Sequence, residues 1–317
     1  MKMELSEASR IVHEIENAVL TAFVGQPLVV QLGLIGLFGG LHVLIEDIPG
    51  LGKTTLALAM ARAAGLGFSR IQCTPDLLPA DVLGLSVWDA NQHAFVFRGG
   101  PILANFVLAD ELNRASPRTQ SAFLQAMQEG SVTVDGNTLL LPEPFFMVAT
   151  QNPHNFVGTF PLPEAELDRF GLSFSIGYPS TEDEETILIR NETAWPVMAV
   201  KTVADPETIQ QIRIMVQSVH VAPAVRQYIM EIVRSTRTQA DIRLGSSPRS
   251  GVYLQQAAKA RALYEGRSFV LPEDVEALAR PVLAHRLVLA SQSRMAGKDA
   301  GTLVGELVSR IRKPTGL

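Results

Sequence analysis

A glycine-rich segment at residues 46–55 carries the residue types that bind phosphate. It reads EDIPGLGKTT and lies between a short apolar run and a stretch with helical spacing. Glycines let backbone N–H groups surround a phosphate, a lysine reaches the outer phosphates of a nucleotide, and a threonine hydroxyl can ligate Mg²⁺. The segment therefore predicts a nucleotide-binding loop. The residues expected to surround the nucleotide here are Pro49, Gly50, Leu51, Gly52, Lys53, Thr54 and Thr55.

One position departs from the usual pattern, G-x-x-x-x-G-K-[ST], because this chain has Asp47 where the first glycine belongs. A glycine there normally eases the turn. The match is therefore imperfect, and an accidental glycine turn stays an alternative unless a second motif supports nucleotide binding.

Two adjacent acids supply that second motif. Asp110 and Glu111 follow the apolar run 106–109, which predicts a buried strand that delivers both carboxylates at its C-terminal end. Hydrolysis of a nucleoside triphosphate needs one carboxylate to hold Mg²⁺, directly or through water, and one to polarise the attacking water. We assign the first role to Asp110 and the second to Glu111. The expected magnesium ligands are Thr54 and Asp110.

A third apolar run, 145–150, is followed by Gln151, Asn152 and Pro153. If its strand lies between the other two, the Asn152 amide can hydrogen-bond the attacking water or the γ-phosphate. Asn-Pro is also a common turn dipeptide, so both interpretations of this residue stay open.

Taken in order, these segments resemble those of the AAA+ ATPases, and their sequences are similar to those of the MoxR family in particular. The resemblance covers residues about 20–290, and the MoxR family often has aspartate at the position of Asp47. The stretches that carry the resemblance are 24–26, 46–54, 74–79, 109–115, 119–121, 162–170 and 247–249.

The resemblance implies ATP and Mg²⁺ as cofactors and adds roles for single residues. It implies that the segment Val24, Gly25 and Gln26 lies near the adenine. It also implies the following motif positions: Lys53 and Thr54 in Walker A, Asp110 and Glu111 in Walker B, and Asn152 as sensor 1.

The resemblance gives roles to two arginines, and two more are candidates for contacts between subunits. By resemblance, Arg169 is the arginine finger that reaches the ATP of a neighbouring subunit, and Arg249 is sensor 2. Whether Arg249 acts in its own subunit or on the next stays open. Arg114 and Arg118 are further candidates for contacts between subunits.

Strand and helix patterns alternate from about residue 41 to 178, which predicts a mainly parallel sheet with crossover helices. After the Gly-Pro break at 176–180 the pattern is helical to the end. With the resemblance, the expected fold is of the α/β class: an AAA+ P-loop αβα sandwich followed by a smaller all-helical lid domain. The expected domains are 1–180, an N-terminal helix plus the nucleotide-binding core, and 181–317, the lid.

Two segments interrupt the core, near 85–98 and 131–141, and both alternate apolar residues around a turn, as hairpins do. Their positions match the helix-2 insert and the pre-sensor-1 hairpin of the AAA+ clade that contains the MoxR family. A hairpin that binds along a nucleic-acid phosphate backbone needs cationic side chains, and Arg98 is the only lysine or arginine in these two segments. We therefore expect a protein client and no nucleic acid. The same alternation would also suit hairpins that only pack or extend the sheet.

Composition and charge narrow the class of protein. The chain has 317 residues, 47% of them hydrophobic, and a net charge of −5, which excludes a disordered chain and a general polycation. A single cysteine, Cys73, and a charged beginning without an apolar signal core predict a cytoplasmic protein. The uncharged stretch 17–45 is long enough for a membrane span, but Pro27 and the pair Gly39-Gly40 interrupt it. A core helix and a buried strand, with no membrane span, are favoured.

The combined expectation is a Mg²⁺-dependent ATPase that forms a homo-oligomeric ring, by resemblance a hexamer. It would couple hydrolysis to chaperone-like remodelling or maturation of a partner protein, and the family implies a von Willebrand factor A domain protein as that partner. Two alternatives stay open: the motor subunit of a metal-chelatase-like complex, and a nucleotide-gated scaffold with little turnover.

Overall fold

Two helices precede the central sheet. The computed structural model describes residues 3–152, 158–192 and 196–315. Helix α1 spans Leu5–Leu20, helix α2 spans Pro27–Gly39, and strand β1, Val43–Glu46, follows. Proline in the first turn of α2 costs no hydrogen bond, and Gly40 ends the helix in the left-handed conformation at φ 63°. The predicted core helix and buried strand are confirmed.

Helix α2 is almost entirely buried and belongs to the main hydrophobic core. Its 13 residues extend about 20 Å, well short of the ~30 Å apolar thickness of a bilayer. None of the helices within the described ranges is both long and apolar enough to cross a membrane.

The central sheet contains five parallel strands. Besides β1 they are β2 (Phe68–Gln72), β5 (Phe106–Asp110), β8 (Phe146–Gln151) and β9 (Leu172–Phe174). Their order is β2, β5, β8, β1, β9, so β8 lies between β1 and β5, as predicted. The registers align the C-terminal ends of these three strands, which brings the phosphate-binding loop, the paired acids and Asn152 to one edge of the sheet.

Helices cover both faces of this sheet. Val43 and Ile45 belong to one buried cluster together with α1, α2 and α3 (Lys53–Ala63), whereas Leu44 belongs to a second cluster. The second face is covered mainly by α4 (Pro79–Leu83) and α5 (Pro117–Glu129). Strands buried on both faces read as continuous apolar runs, which explains the sequence pattern. The expected αβα sandwich is confirmed.

Both predicted hairpins form. The first pairs β3 (Gly84–Asp89) with β4 (Ala94–Gly99), and the second pairs β6 (Ser131–Val134) with β7 (Asn137–Leu140). Asp135 and Gly136 take positive φ at the tight turn of the second. Each hairpin is a two-stranded sheet of its own. The alternative that they extend the central sheet is wrong, because the first projects from the end of α4 and the second from the end of α5.

The rest of the chain is mainly helical, as predicted. A short helix α6 (Glu164–Leu167) precedes β9. The later helices are α7 (Thr181–Asn191), α8 (Pro206–Ser218), α9 (Pro223–Thr238), α10 (Pro248–Tyr264), α11 (Pro272–Leu283), α12 (Ser291–Met295) and α13 (Ala300–Arg310). Within the described ranges, short 3₁₀ helices span Leu112–Arg114, Pro196–Ala199 and Ala284–Arg286.

The C-terminal part is not purely helical. Strands β10 (Ile242–Leu244) and β11 (Val288–Leu289) form a short antiparallel ladder between helix ends. Segments this short carry no periodic signal, so the all-helical expectation missed them. The main hydrophobic cluster includes residues of both α2 and α10. The domain boundary at residue 180 stays a prediction.

Candidate active site

The phosphate-binding loop joins β1 to α3. Gly50 and Gly52 have φ of 90° and 82°, a conformation that glycine adopts without strain. A Cβ atom on Gly50 would meet nothing within 4 Å, so the loop leaves open space beside its backbone. Gly52 precedes α3 without a side-chain cap, and the first N–H groups of the helix are therefore available to a phosphate.

Lys53 is buried against the carbonyl groups of this loop. Its Nζ donates to the Asp47 carbonyl oxygen at 2.6 Å and to that of Ile48 at 3.2 Å. Burial lowers the pKa of Lys53, and the charges of Asp47, Asp110 and Glu111 oppose that shift. A phosphate oxygen would replace the two carbonyls as the acceptor and form a charge-assisted hydrogen bond.

Asp110 ends β5 with both carboxylate oxygens engaged. The Thr150 hydroxyl donates to Oδ1 at 2.7 Å, and Arg70 Nη2 donates to Oδ2 at 2.6 Å. The residue is 8% exposed. Sequence reasoning missed both partners, since Arg70 lies on β2 and Thr150 on β8, and local spacing does not reveal which strands are neighbours.

Glu111 has a left-handed backbone, with φ 56°. Non-glycine residues in this region are rare and concentrate at functional sites. The Glu111 N–H donates to Thr150 Oγ1 at 2.8 Å, and its Oε2 accepts from Arg114 Nη1 at 2.8 Å and from Gln72 Nε2 at 3.5 Å. Arg114, predicted as a contact between subunits, thus pairs with Glu111 in its own chain.

Asn152 follows β8 at the same edge. Its carbonyl oxygen accepts a hydrogen bond from Asn113 Nδ2 at 3.2 Å, which links it to the turn after Glu111. Pro153, the other half of the Asn-Pro dipeptide, lies outside the described residues. Arg118, the other candidate for a contact between subunits, is exposed on α5.

A cavity of about 650 Å³ opens beside the phosphate-binding loop. Val24, Gly25 and Gln26 line it together with residues 48–52 and Thr55. That the first three contact adenine stays a prediction. The opposite wall comes from residues 176–180 and from α7. The glycine and proline of 176–180 predict a turn between domains, but they do not indicate that this turn faces the cavity.

Arg169 and Arg249 lie together, away from that cavity. They line a smaller pocket of about 180 Å³ with Gly40, Leu41 and His42, which precede β1. The phosphate-binding loop follows β1, so the arginines and the loop lie at opposite ends of the same strand. Neither arginine lines the cavity of about 650 Å³. Other predicted site residues do not line it either but lie at the edge of the sheet where β1 ends, away from the arginines: Lys53, Thr54, Asp110, Glu111 and Asn152.

Asp168 holds the two arginine segments together. Its carboxylate accepts from the Ser247 hydroxyl at 3.1 Å and from Arg286 Nε at 3.1 Å, and it lies 3.6 Å from Arg249 Nη1. Arg286 also donates to the carbonyls of Phe170 and Val282. Burial lowers the pKa of Arg286 to about 10. His285 and Arg286 both contact the Phe170 carbonyl and so support the Arg169 segment from within the chain.

The oxygen groups at the sheet edge suit Mg²⁺ bound together with a nucleotide. Magnesium takes one or two protein oxygens and completes its shell with phosphates and water. The Thr54 hydroxyl in the first turn of α3 and the Asp110 carboxylate are the protein oxygens of that kind here. Oδ1 of Asp110 accepts from Thr150 and keeps a second lone pair that could face the ion, whereas Oδ2 accepts from both Nε and Nη2 of Arg70.

Comparisons with known proteins agree with this arrangement. The profile of the ATPase family associated with various cellular activities (AAA) matches residues 42–172, and that of the AAA lid domain matches residues 234–307. The YeaC protein of Bacillus subtilis is 45% identical over 291 residues, 92% of this chain and 91% of the relative. Chaperone MoxR1 of Mycobacterium tuberculosis is 38% identical over 290 residues, 88% of this chain and 76% of the relative. A crystal structure of a candidate ATPase from Cytophaga hutchinsonii superposes with a TM-score of 0.90 at 32% identity, covering 98% of this chain and 97% of that one.

Proposed function

This chain belongs to the MoxR family of AAA+ ATPases, and we propose that the ATP it hydrolyses drives a chaperone-like change in a partner protein. The proposal includes a homo-oligomeric ring, expected to be a hexamer, that works with Mg²⁺ in the cytoplasm. The observation that supports the ring is that Arg169 and Arg249 lie at one end of β1 and the phosphate-binding loop lies at the other. A second subunit would then be needed to bring Arg169 or Arg249 to the phosphates, because Arg70 and Arg114 at the edge of the sheet are paired with Asp110 and Glu111.

The hydrolytic step follows from the groups at the sheet edge. Lys53 would bind the β- and γ-phosphates together with the loop N–H groups, and Asp110 and Thr54 would hold Mg²⁺. When bound, Mg²⁺ supplies charge that stabilises the transferring phosphoryl group. The contacts of Glu111 with Arg114 and Gln72 use Oε2, so Oε1 can accept a hydrogen bond from the attacking water.

If a neighbouring subunit completes the site, Arg169 and Arg249 both act on the ATP of that neighbour. A guanidinium supplied by a neighbour neutralises charge on the γ-phosphate and contributes on the order of 10³–10⁵ in rate. Asp168 contacts Arg249 and directly precedes Arg169, so the two would approach the phosphate as one unit. This arrangement favours trans action for Arg249 over action in its own subunit.

Mixed rings test the trans site. Lys53→Ala subunits alone should lose ATPase activity, and activity equal to wild type would refute the phosphate-site assignment. Mixing Arg169→Ala with Glu111→Gln subunits should restore hydrolysis, because the first retains an intact site and the second retains its finger. The matched control mixes Lys53→Ala with Glu111→Gln, where no intact site exists and no rescue is expected. Equal activity in both mixtures, in rings shown to assemble, would refute action in trans.

A protein client is supported by the tip of the first hairpin. Trp88 is 52% and Phe95 71% exposed, and their rings meet edge to face with centroids 5.3 Å apart. Exposed apolar groups of this kind suit contact with another polypeptide. A von Willebrand factor A domain protein is the partner we propose, on family grounds.

Stimulation of the ATPase by an unfolded model protein such as casein tests this role of the hairpin. The double variant Trp88→Ser/Phe95→Ser should lose most of the stimulation. Met295→Ser is the matched control, because Met295 is also highly exposed, at 88%, but lies on α12. Stimulation that survives in the double variant, or is lost equally in the control, would count against the hairpin.

A further inference from the structure

The side chain of Asp47 links the phosphate-binding loop to the opposite wall of the nucleotide cavity. Its Oδ2 accepts from the Ser175 hydroxyl at 2.8 Å, from the Ile176 N–H at 2.6 Å and from the Gly177 N–H at 3.0 Å. The residue is 8% exposed. Hydrogen bonds to an ionised acceptor are the stronger kind, so one carboxylate oxygen holds three successive residues of another segment in place.

The main chain of Asp47 makes two further links. Its N–H donates to the Gln151 carbonyl at 3.1 Å, and its own carbonyl accepts from Lys53 Nζ at 2.6 Å. One residue therefore joins the end of β8, the phosphate-binding lysine and the segment 175–177.

Glycine is not required at this position. Among the described residues, the non-glycine positions with positive φ are His93, Glu111 and Asp135, so Asp47 has a backbone that any residue adopts. What the chain gains over the usual glycine is the carboxylate. The departure from the common phosphate-loop pattern is thus matched by a specific set of contacts.

We propose that Asp47 is a positioning residue for nucleotide binding, which holds the cavity wall that begins at Ile176 and Gly177 at a set distance from the phosphate-binding loop. The proposal rests on the ATP site of the proposed function. Ile176 and Gly177 line the cavity together with Gly50 and Gly52, and they lead into α7, which lines the same wall. Without the Asp47 contacts, that wall would occupy its binding position for only part of the time. The apparent affinity for ATP falls by the same fraction.

Two ligands separate this role from simple support of the loop. Inorganic tripolyphosphate carries the phosphate chain of ATP without the base and ribose, so it needs the loop but not the wall. Titration calorimetry with Mg²⁺ present would compare ATP with tripolyphosphate on wild type and on Asp47→Gly, which restores the common loop residue. We expect ATP to bind about tenfold more weakly to the variant. Tripolyphosphate should change by less than about twofold, because its contacts lie on the loop alone.

Two milder variants guard against a folding defect. Ser175→Ala removes one of the three donors and should weaken ATP binding about threefold, while the affinity for tripolyphosphate stays the same. Asp47→Asn keeps an oxygen acceptor without the charge, so its affinity for ATP should lie between those of Ser175→Ala and Asp47→Gly. If Asp47→Gly fails to unfold cooperatively in urea, these two variants carry the comparison.

Equal loss of affinity for both ligands would overturn the proposal, because Asp47 would then support only the loop. ATP affinity at the wild-type level in all three variants would overturn it as well. A wild-type protein that binds neither ligand would instead refute the ATP site itself, which separates failure of the proposed function from failure of this inference.

Discussion

Thr150→Val removes one hydroxyl from the centre of the catalytic edge while it conserves the size of the side chain. Thr150 is fully buried, at 0% exposure. Its Oγ1 donates to Asp110 Oδ1 at 2.7 Å and accepts from the Glu111 N–H at 2.8 Å. The same group therefore orients the proposed magnesium ligand and holds the left-handed backbone of the proposed catalytic glutamate, a conformation that costs about 1–3 kcal/mol.

The magnitude follows from the two hydrogen bonds. Loss of the acceptor leaves the Glu111 N–H without that partner, at about 1–3 kcal/mol, and loss of the donor to Asp110 costs less because Arg70 still donates to Oδ2. The free energy of unfolding should fall by about 2–4 kcal/mol in total. Displacement of a catalytic group by ~1 Å can cost about 10²-fold in rate. We expect kcat to fall by about 10–100-fold, and KM for ATP to change less than about threefold because the phosphate-binding loop is untouched.

Steady-state ATPase kinetics and urea denaturation measure the two effects separately. Thr150→Ser is the matched control, because it keeps the hydroxyl and removes only a methyl group. Its kcat should stay within about threefold of wild type, since both hydrogen bonds remain. If valine and serine reduce kcat equally, or if Thr150→Val retains wild-type kcat, the hydroxyl does not organise the site and the reasoning is wrong.

Three other predictions concern burial, pH and the loop backbone. Arg286→Met breaks a buried ion pair and should lower the free energy of unfolding by about 3–5 kcal/mol in urea titrations; a change below about 1 kcal/mol would contradict the support role. Burial lowers the pKa of His42 to about 4 and that of His285 well below 6.5, so below pH 6.5 the unfolded chain binds more protons than the folded one. The free energy of unfolding should therefore fall by about 1 kcal/mol per histidine between pH 6.5 and 5.5. His42→Gln should remove about half of that fall. A free energy of unfolding that stays constant over this range would contradict the burial argument. Gly50→Ala forces a side chain into φ 90° and should weaken ATP binding by about tenfold or more, whereas Gly305→Ala in α13 should leave the affinity unchanged; equal affinities in both variants would contradict the strain argument.

Local pattern predicted the elements that carry the site. The apolar runs before the phosphate-binding loop and the paired acids are strands because residues buried on both sheet faces must be apolar throughout. The helical pattern after residue 180 was also predicted, and α10 and α11 begin at Pro248 and Pro272, since proline suits the first turn of a helix. The turn at Asp135 and Gly136 followed from residues that tolerate positive φ.

Local sequence patterns did not predict the hydrogen-bond partners of the proposed catalytic groups. Arg70 and Thr150 reach Asp110 from two other strands, and Arg286 reaches Asp168 from a helix end 118 residues away. These contacts depend on strand order and on the packing of distant helices, for which a short window of sequence holds no signal. The separation of the hairpins from the central sheet was also beyond the sequence, because their alternating pattern suits a hairpin that extends the sheet equally well.

The sequence by itself determined the ATPase family and predicted the groups of its site: a phosphate-binding loop, paired acids after a buried strand and an arginine-bearing segment before the last strand of the sheet. Residue type and spacing suffice for that, because each motif works through neighbours in the chain. Only the tertiary structure decided that Arg169 and Arg249 lie at the other end of β1 from the loop, and that Asp47 joins the two walls of the nucleotide cavity. Both outcomes arise because parallel strands carry their two ends to opposite edges of the sheet, and burial selects which distant segments meet there.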